Sequence, residues 1–291
     1  MNKFLREILI LFFFTILLGE IICRLFPIIP DIPLKIDKQG YYILRENQSG
    51  KYIRGKFPKW LNSNYHVNNI GFVSTKDYYF GTNDEFKIAI VGDSFVEGFQ
   101  VDSDKSIGRL IEKKLSNYEV YEFGYSGYNI HNYIEIYEKF NLKNFKYVFF
   151  VVDINDVQVE KAEKTEFTKS LKIKELIFRK IYDYLFFFKY LNWNHSLLNK
   201  IINVFNLKTI NTDEILFNFV DIEPFILKNN INLILKSKND SILKNIYSNL
   251  TFLEIDHKLT PVNFGYDQHW NLNGKQNVAE TISTWISQQK K

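Results

Sequence analysis

The chain has 291 residues, 46% of them hydrophobic, and a formal net charge of +4 at pH 7. That apolar content supports a packed core and argues against global disorder. Lys and Glu are interleaved with no block of like charge, which disfavours a nucleic-acid partner. With a single cysteine, Cys23, neither a disulfide framework nor a cysteine-based zinc site can be built.

Lys3 and Arg6 precede an uncharged run from Ile8 to Gly19; Glu20 interrupts it, and Arg24 closes it after Ile21-Ile22-Cys23. A helix from Phe4 to Phe26 would be about 35 Å long at ~1.5 Å per residue, enough to cross a bilayer core. A cleaved signal peptide is the main competing reading, and a buried helix the other. No small-x-small site follows the run, however, and Ile22 before Cys23 suits lipoprotein cleavage badly. Residues 1–27 are therefore read as an uncleaved membrane anchor. Lys3 and Arg6 place the N-terminus in the cytoplasm and the rest of the chain outside. Glu20 and Arg24, four apart, are expected to pair on one helix face near the outer boundary.

Prolines at 27, 30 and 33 end that helix and stiffen the exit. Residues 28–84, rich in Tyr, Asn, Lys and Gly, read as a lead-in with short strands that packs on the edge of the main domain. Asn69-Ile70-Gly71-Phe72 reads as a turn into a short strand. Residues 85–291 read as the main α/β domain. Lys87–Val91 is its first strand, an apolar run with no helical stripe, followed by Gly92-Asp93-Ser94. Asp102-Ser103 is placed to cap a helix carrying Ile107, Leu110, Ile111 and Leu115 on one face. Glu119–Phe123 is a second strand, ending at Gly124. A helix over 129–141 carries Ile130, Tyr133, Ile134 and Tyr137 on one stripe. Tyr147–Val152 is a third strand of the continuous apolar kind that parallel sheets bury on both faces, and it ends at Asp153-Ile154-Asn155-Asp156.

Residues 157–229 break this rhythm and read as an aromatic-rich helical insertion that opens on a charged patch, Glu160 to Lys174. It reads as a helical cap with its own small core, with a lid, a second membrane-surface contact or a partner face as the alternatives. Ile231–Leu235 resumes the sheet, Ser241–Tyr247 is helical, and Thr251–Ile255 is the last strand. The final helix, from about Gly274, buries Val278, Ile282, Trp285 and Ile286. Strands alternating with helices imply right-handed crossovers and a mainly parallel sheet. Active sites in such sheets lie beyond the carboxyl ends of the strands, where Ser94 stands.

A serine hydroxyl is a weak nucleophile until a base lies within hydrogen-bond reach and a third group orients that base. Of the five histidines, two have a nearby aspartate: His257 after Asp256 and His269 after Asp267. Neighbouring side chains in an extended segment point to opposite faces, whereas residues two apart share one. Asp267 can thus reach the imidazole of His269, while Asp256 hardly reaches that of His257. The Ser94 backbone, Gly124 and Asn155, at the ends of three successive strands, are candidate donors to a developing oxyanion. Each alone could be an ordinary turn residue; together they converge at the correct end of one sheet.

Gly92-Asp93-Ser94-Phe95-Val96-Glu97-Gly98, Gly124, Asn155-Asp156 and Asp267-Gln268-His269 resemble, in order, the four blocks of the SGNH (GDSL-type) esterase and acyltransferase superfamily. The resemblance spans residues 92–269. It implies a flavodoxin-like three-layer α/β/α fold with Ser94 as nucleophile, His269 as base and Asp267 as its partner. The Ser94 N–H, Gly124 and Asn155 would form the oxyanion hole. Two departures stand out: the acid is two residues before the histidine rather than three, and Asp153 occupies a position that is usually glycine. The spacing followed by Trp270-Asn271 is similar to members tied to acetylation of envelope polysaccharides.

The expected function is thus serine-dependent acyl transfer outside the cytoplasm, on an ester such as an O-acyl group of an envelope glycan, with no metal or organic cofactor. O-acyltransferase, lipid esterase and catalytically inactive glycan-binding scaffold are the alternatives.

Overall fold

The N-terminal apolar run forms one helix, α1 (Lys3–Leu25). The computed structural model describes residues 3–26, 32, 34–36, 42–56, 59–81, 86–160, 185–195 and 217–289. Phe12, Phe13, Leu18 and most other apolar side chains of α1 are exposed, and the helix is long and apolar enough to cross a membrane. Arg24 meets Glu20 at 2.8 Å, the pairing expected from their spacing.

The lead-in forms two antiparallel pairs. β1 (Leu34–Ile36) pairs with β2 (Tyr42–Leu44), and β3 (Gln48–Lys56) pairs along its whole length with β4 (Lys59–Val67). The turn expected at residues 69–72 is present, with Gly71 at φ 90° and Val73 bridged back to Val67. Tyr52 stacks on Phe99 with ring centroids 5.3 Å apart, and Tyr65 meets Phe99 edge-on at 5.1 Å. Leu44, Leu61, Val67 and Val73 complete this cluster. The longer hairpin thus lies against the segment that follows Ser94.

β5 (Lys87–Gly92) opens the main domain and is buried throughout. It feeds the four-residue helix α2 (Ser94–Glu97), then α3 (Ile107–Lys114) and β6 (Glu119–Gly124). Asp102 does not cap α3 as expected. A 3-10 turn over Ser103–Lys105 intervenes, and the Ser106 side chain caps α3 by accepting from the Arg109 N–H. Asp102 instead accepts from the Asn64 N–H at 2.8 Å, tying the hairpin to the main domain.

α4 (Ile130–Lys139), capped by Asn129, leads to β7 (Tyr147–Val152) and to α5 (Ile154–Val157), capped by Asp153. The stretch expected to be a helical insertion opens differently. β8 (Gln158–Glu160) pairs antiparallel with β9 (Phe217–Phe219), so a strand ribbon brackets it. Between them α6 (Phe186–His195) is described, while the charged patch beyond Glu160, residues 161–174, lies outside the described residues. α7 (Glu223–Asn229) belongs to the regular rhythm, for it precedes β10 (Asn232–Leu235). A short 3-10 turn and α8 (Leu243–Ile246) stand where one helix was expected, followed by β11 (Phe252–Leu253) and α9 (Leu272–Gln288).

The five-stranded parallel sheet has the order β6-β5-β7-β10-β11. Numbered within the sheet this is 2-1-3-4-5, the flavodoxin-like order, whose topological switch lies between β5 and β7. Alternation along β5 divides the core. Ile88 and Ile90 face a layer built from Ile107, Ile111, Val278, Ile282 and Ile286 of α3 and α9. Ala89 and Val91 face the layer of Tyr133, Ile136 and Ile226 from α4 and α7. Burying each large side chain contributes about 1.5–3 kcal/mol, which holds both helical layers to the sheet.

Ile282, fully buried beneath the sheet, reports on this packing. Ile282→Ala should lower unfolding free energy by about 2–5 kcal/mol. A urea midpoint unchanged from wild type, measured on the detergent-solubilised chain, would contradict the assigned packing of α9.

Candidate active site

β5 ends at Gly92 because the chain must turn sharply there. A Cβ on Gly92 would lie 2.4 Å from Val96 Cγ2. Asp93 caps α2, its Oδ1 accepting from the Phe95 N–H at 3.0 Å, and Gly98 ends the helix in the left-handed region at φ 69°. This places Ser94 at the first position of α2, partly exposed, beyond the carboxyl end of β5.

The histidine arrives from the other end of the chain. His269 Nε2 lies 2.8 Å from Ser94 Oγ. The Asp93 carboxylate is 3.5 Å from the same hydroxyl, too long to compete. On the far side of the imidazole, Nδ1 contacts Asp267 Oδ1 directly, and the same oxygen accepts from the His269 backbone N–H at 3.0 Å. The acid therefore reaches its histidine through a side-chain-to-backbone turn. The expected neighbour relation holds, but the backbone is a bend rather than an extended strand.

The loop is braced at both ends. Asn263 bridges Trp270, Phe264 N–H donates to the Asp267 carbonyl, and Gly265 turns the chain at φ 76°. Asn271 caps α9 through the Gly274 N–H at 3.0 Å, and its amide donates to the carbonyls of Pro261 and Asn263. Phe95 packs on the imidazole with centroids 4.9 Å apart and meets buried Trp270 edge-on at 5.0 Å. The residue after Ser94 and the residue after His269 thus brace the Ser94 and His269 side chains against each other.

Burial by itself would raise the Asp267 carboxyl. Hydrogen bonds from the His269 ring and backbone, with the charges of His269 and Arg54, more than offset this and hold it below its ordinary value. Arg54 was not recognisable from the sequence. It projects from β3 and places its guanidinium 3.4 Å from Asp267 Oδ2, and it also donates to the Tyr52 hydroxyl. The other histidine pair does not form: Asp256 turns to Lys258 at 3.0 Å. His66 is engaged with Ser49 at 2.8 Å.

Gly124 ends β6 and Asn155 follows β7, the two strands that flank β5 in the sheet. Gly124 is opposite Gly92 in the ladder, and a Cβ there would fall 2.0 Å from the Glu97 backbone nitrogen. Only glycine lets β6 approach α2 so closely. Glu97 is buried, and its carboxylate accepts from both the N–H and hydroxyl of Ser126, binding α2 to the loop after Gly124. Burial pushes the Glu97 carboxyl up to about 8, with the Ser126 hydrogen bonds working against the shift. Asn155 lies in the first turn of α5, exposed at the end of β7.

The molecule is thus a doubly wound α/β protein whose switch point carries a serine, a histidine and an aspartate in hydrogen-bonded series. Such a series can abstract the hydroxyl proton, attack a carbonyl carbon and return the proton to a leaving group. No family model and no curated protein matches the sequence. Among solved structures, the chain is similar to a lipolytic protein of the G-D-S-L family from Desulfitobacterium hafniense at 13% identity and a TM-score of 0.36, covering 68% of this chain and 98% of that one. A member of the same family from Veillonella parvula gives 13% identity and a TM-score of 0.34, covering 69% and 98%.

Two outcomes follow. Asp267→Asn keeps the shape but loses the oriented tautomer, and should lower kcat on an ester about 10²–10⁴-fold; a kcat within a factor of about three of wild type would remove Asp267 from the relay. Arg54→Gln withdraws a charge that depresses the Asp267 carboxyl. A depressed carboxyl contributes stability above its ordinary value of 3.8 that is lost as pH falls through the folded value. With Arg54 gone the folded value rises toward the ordinary one, so less stability is contributed and its loss is complete at higher pH; the acid-unfolding midpoint should move upward, and an unmoved midpoint would show that the two charges are not coupled.

Proposed function

We propose that this chain is a serine-dependent esterase of the SGNH type that works by acyl transfer. The observation that carries the reading is the series Asp267 Oδ1, His269 Nδ1, His269 Nε2 and Ser94 Oγ, with the last pair 2.8 Å apart. Ser94 attacks the ester carbonyl as His269 takes its proton. The oxyanion is met by the Ser94 and Gly124 N–H groups and the Asn155 amide. His269 then protonates the departing alcohol, and water or a sugar hydroxyl, activated by the same imidazole, releases the acyl group.

The preferred substrate is an O-acyl group, acetyl first, on an envelope glycan. The Asp267-x-His269-Trp270-Asn271 arrangement supports this, as does the anchor-like α1, which would hold the catalytic domain on the extracytoplasmic side of the cell membrane. An O-acyltransferase would use the same residues and differ in excluding water. A specific contact favours a lipid ester as the second reading: α6, with three consecutive phenylalanines, packs on the outer end of α1. There the Phe187 N–H donates to Glu20 at 3.0 Å, and Arg24 lies 4.8 Å from the Phe186 ring centroid.

The test is turnover of p-nitrophenyl acetate and longer acyl esters by the detergent-solubilised chain beside Ser94→Ala. Wild type should hydrolyse the acetyl ester faster than long-chain esters and bind a fluorophosphonate at Ser94, and the variant should do neither. Faster turnover of long-chain esters would favour the lipid reading. Labelling without hydrolysis would point to transfer, and no Ser94-dependent turnover or labelling would sink the enzyme reading altogether.

A further inference from the structure

Lys236 follows β10 and is among the most buried charged residues, its side chain 2% exposed. Its ammonium lies 2.9 Å from Asp93, 3.1 Å from Asp153 and 2.7 Å from Asp156. An ammonium has three protons to give, and here each has a carboxylate. The three carboxylates are not free surface groups. Asp93 spends its other oxygen on the Phe95 N–H, capping α2 beneath Ser94. Asp153 spends its other oxygen on the N–H groups of Asn155 and Asp156, capping α5, and Asp156 accepts from the Asp153 N–H at 2.9 Å. Lys236 also lies 5.2 Å from the centroid of Phe95, the ring that packs on His269.

We propose that Lys236 is a positioning residue for the reaction: one buried ammonium fastens the turn that carries Ser94 to the turn that carries Asn155, and offsets the carboxylate charge beside the site where an oxyanion develops. The two helices are four residues long, too short to hold their own orientation by propensity. Each is fixed by an aspartate cap, and each cap brings negative charge toward the place where a transition state would gather more. A cation shared between the caps solves both problems at once. It also accounts for Asp153, which stands where the resembled family usually has glycine: the carboxylate gives Lys236 a handle on α5.

The buried Tyr133 hydroxyl of α4 also faces this cluster, as does the Ser94 hydroxyl, 3.5 Å from the Asp93 oxygen that Lys236 meets. Burial and the neighbouring carboxylates raise the Asp156 carboxyl to about 7, with Lys236 opposing the shift. The same carboxylates hold the Lys236 ammonium charged, well above its ordinary value despite burial.

The inference rests on the esterase reading, and the experiment separates the two. Full chain in detergent is compared as wild type, Lys236→Met, Asp153→Asn and Lys236→Met with Asp153→Asn, on p-nitrophenyl acetate and by rate of fluorophosphonate labelling. Lys236→Met should lower kcat and the labelling rate by about 10²-fold, the scale of a small misplacement of reacting groups, with KM within about threefold. Asp153→Asn loses one leg of the clamp and should lower kcat less, again at constant KM; this variant carries the test if Lys236→Met does not fold. Adding Asp153→Asn to Lys236→Met removes an unneutralised carboxylate and should recover part of the lost kcat. Folded single variants whose kcat and labelling match an active wild type would overturn the inference alone. A wild-type chain that neither hydrolyses nor labels would overturn the esterase reading and this inference with it.

Discussion

The site depends on one contact between distant parts of the chain: the imidazole of His269 against the hydroxyl of Ser94, 175 residues apart in sequence. That contact exists because α9 packs on the same face of the sheet as α3, burying Val278, Ile282 and Ile286 under Ile88 and Ile90 of β5. The packing sets the height of α9, Asn271 fixes its first turn to the preceding loop, and the loop delivers the histidine. Lys275, also on α9 and fully buried, donates to the carbonyl of Gly98 at the end of α2. Burial brings the Lys275 amine down to about 8, against the pull of Glu122. The helix that follows His269 is therefore tied directly to the helix that carries Ser94.

Around that contact, polar clamps do what apolar packing cannot. Greasy side chains position layers to within the tolerance of a rotamer, whereas a hydrogen-bonded charge fixes one atom against another. Glu97 with Ser126 locks α2 to the loop after β6, and Lys236 joins α2 to α5. Arg54 approaches Oδ2 of Asp267 from a hairpin that precedes the main domain. The lead-in is thus part of the site, through Arg54 and through Tyr52 and Tyr65 on Phe99. Buried charges of this kind cost desolvation energy and are tolerated when their partners are complete. Here Asp93 and Asp153 also cap α2 and α5, and Asp156 completes the α5 cap by accepting from the Asp153 N–H, so each carboxylate does two jobs in one place.

Much of this could be read from residues alone. The strands of the sheet showed as short apolar runs, because a parallel strand is buried on both faces and leaves no polar alternation. Ser94, Asp267 and His269 were legible because each lies in a block only a few residues long. Boundaries and caps were less legible. Ser106 and not Asp102 caps α3, since a 3-10 turn intervenes and Asp102 is taken by Asn64 of the hairpin. The region after Val157 was expected to be helical, yet it begins with a strand, Gln158–Glu160, whose partner is the distant Phe217–Phe219, a pairing with no local signature.

By itself the sequence determined the chemistry on offer: an apolar N-terminal helix, a serine at the end of the first strand, and a histidine with an acid two residues before it. These are local facts, set by periodicity and by spacing along the backbone. Only the tertiary structure decided which distant charges meet. Arg54 against Asp267, Glu97 against Ser126 and Lys236 among three aspartates depend on how crossovers and the hairpin dock. Nothing in the spacing of those residues encodes such meetings, because a long charged side chain finds its partner through the fold and not through its neighbours in sequence.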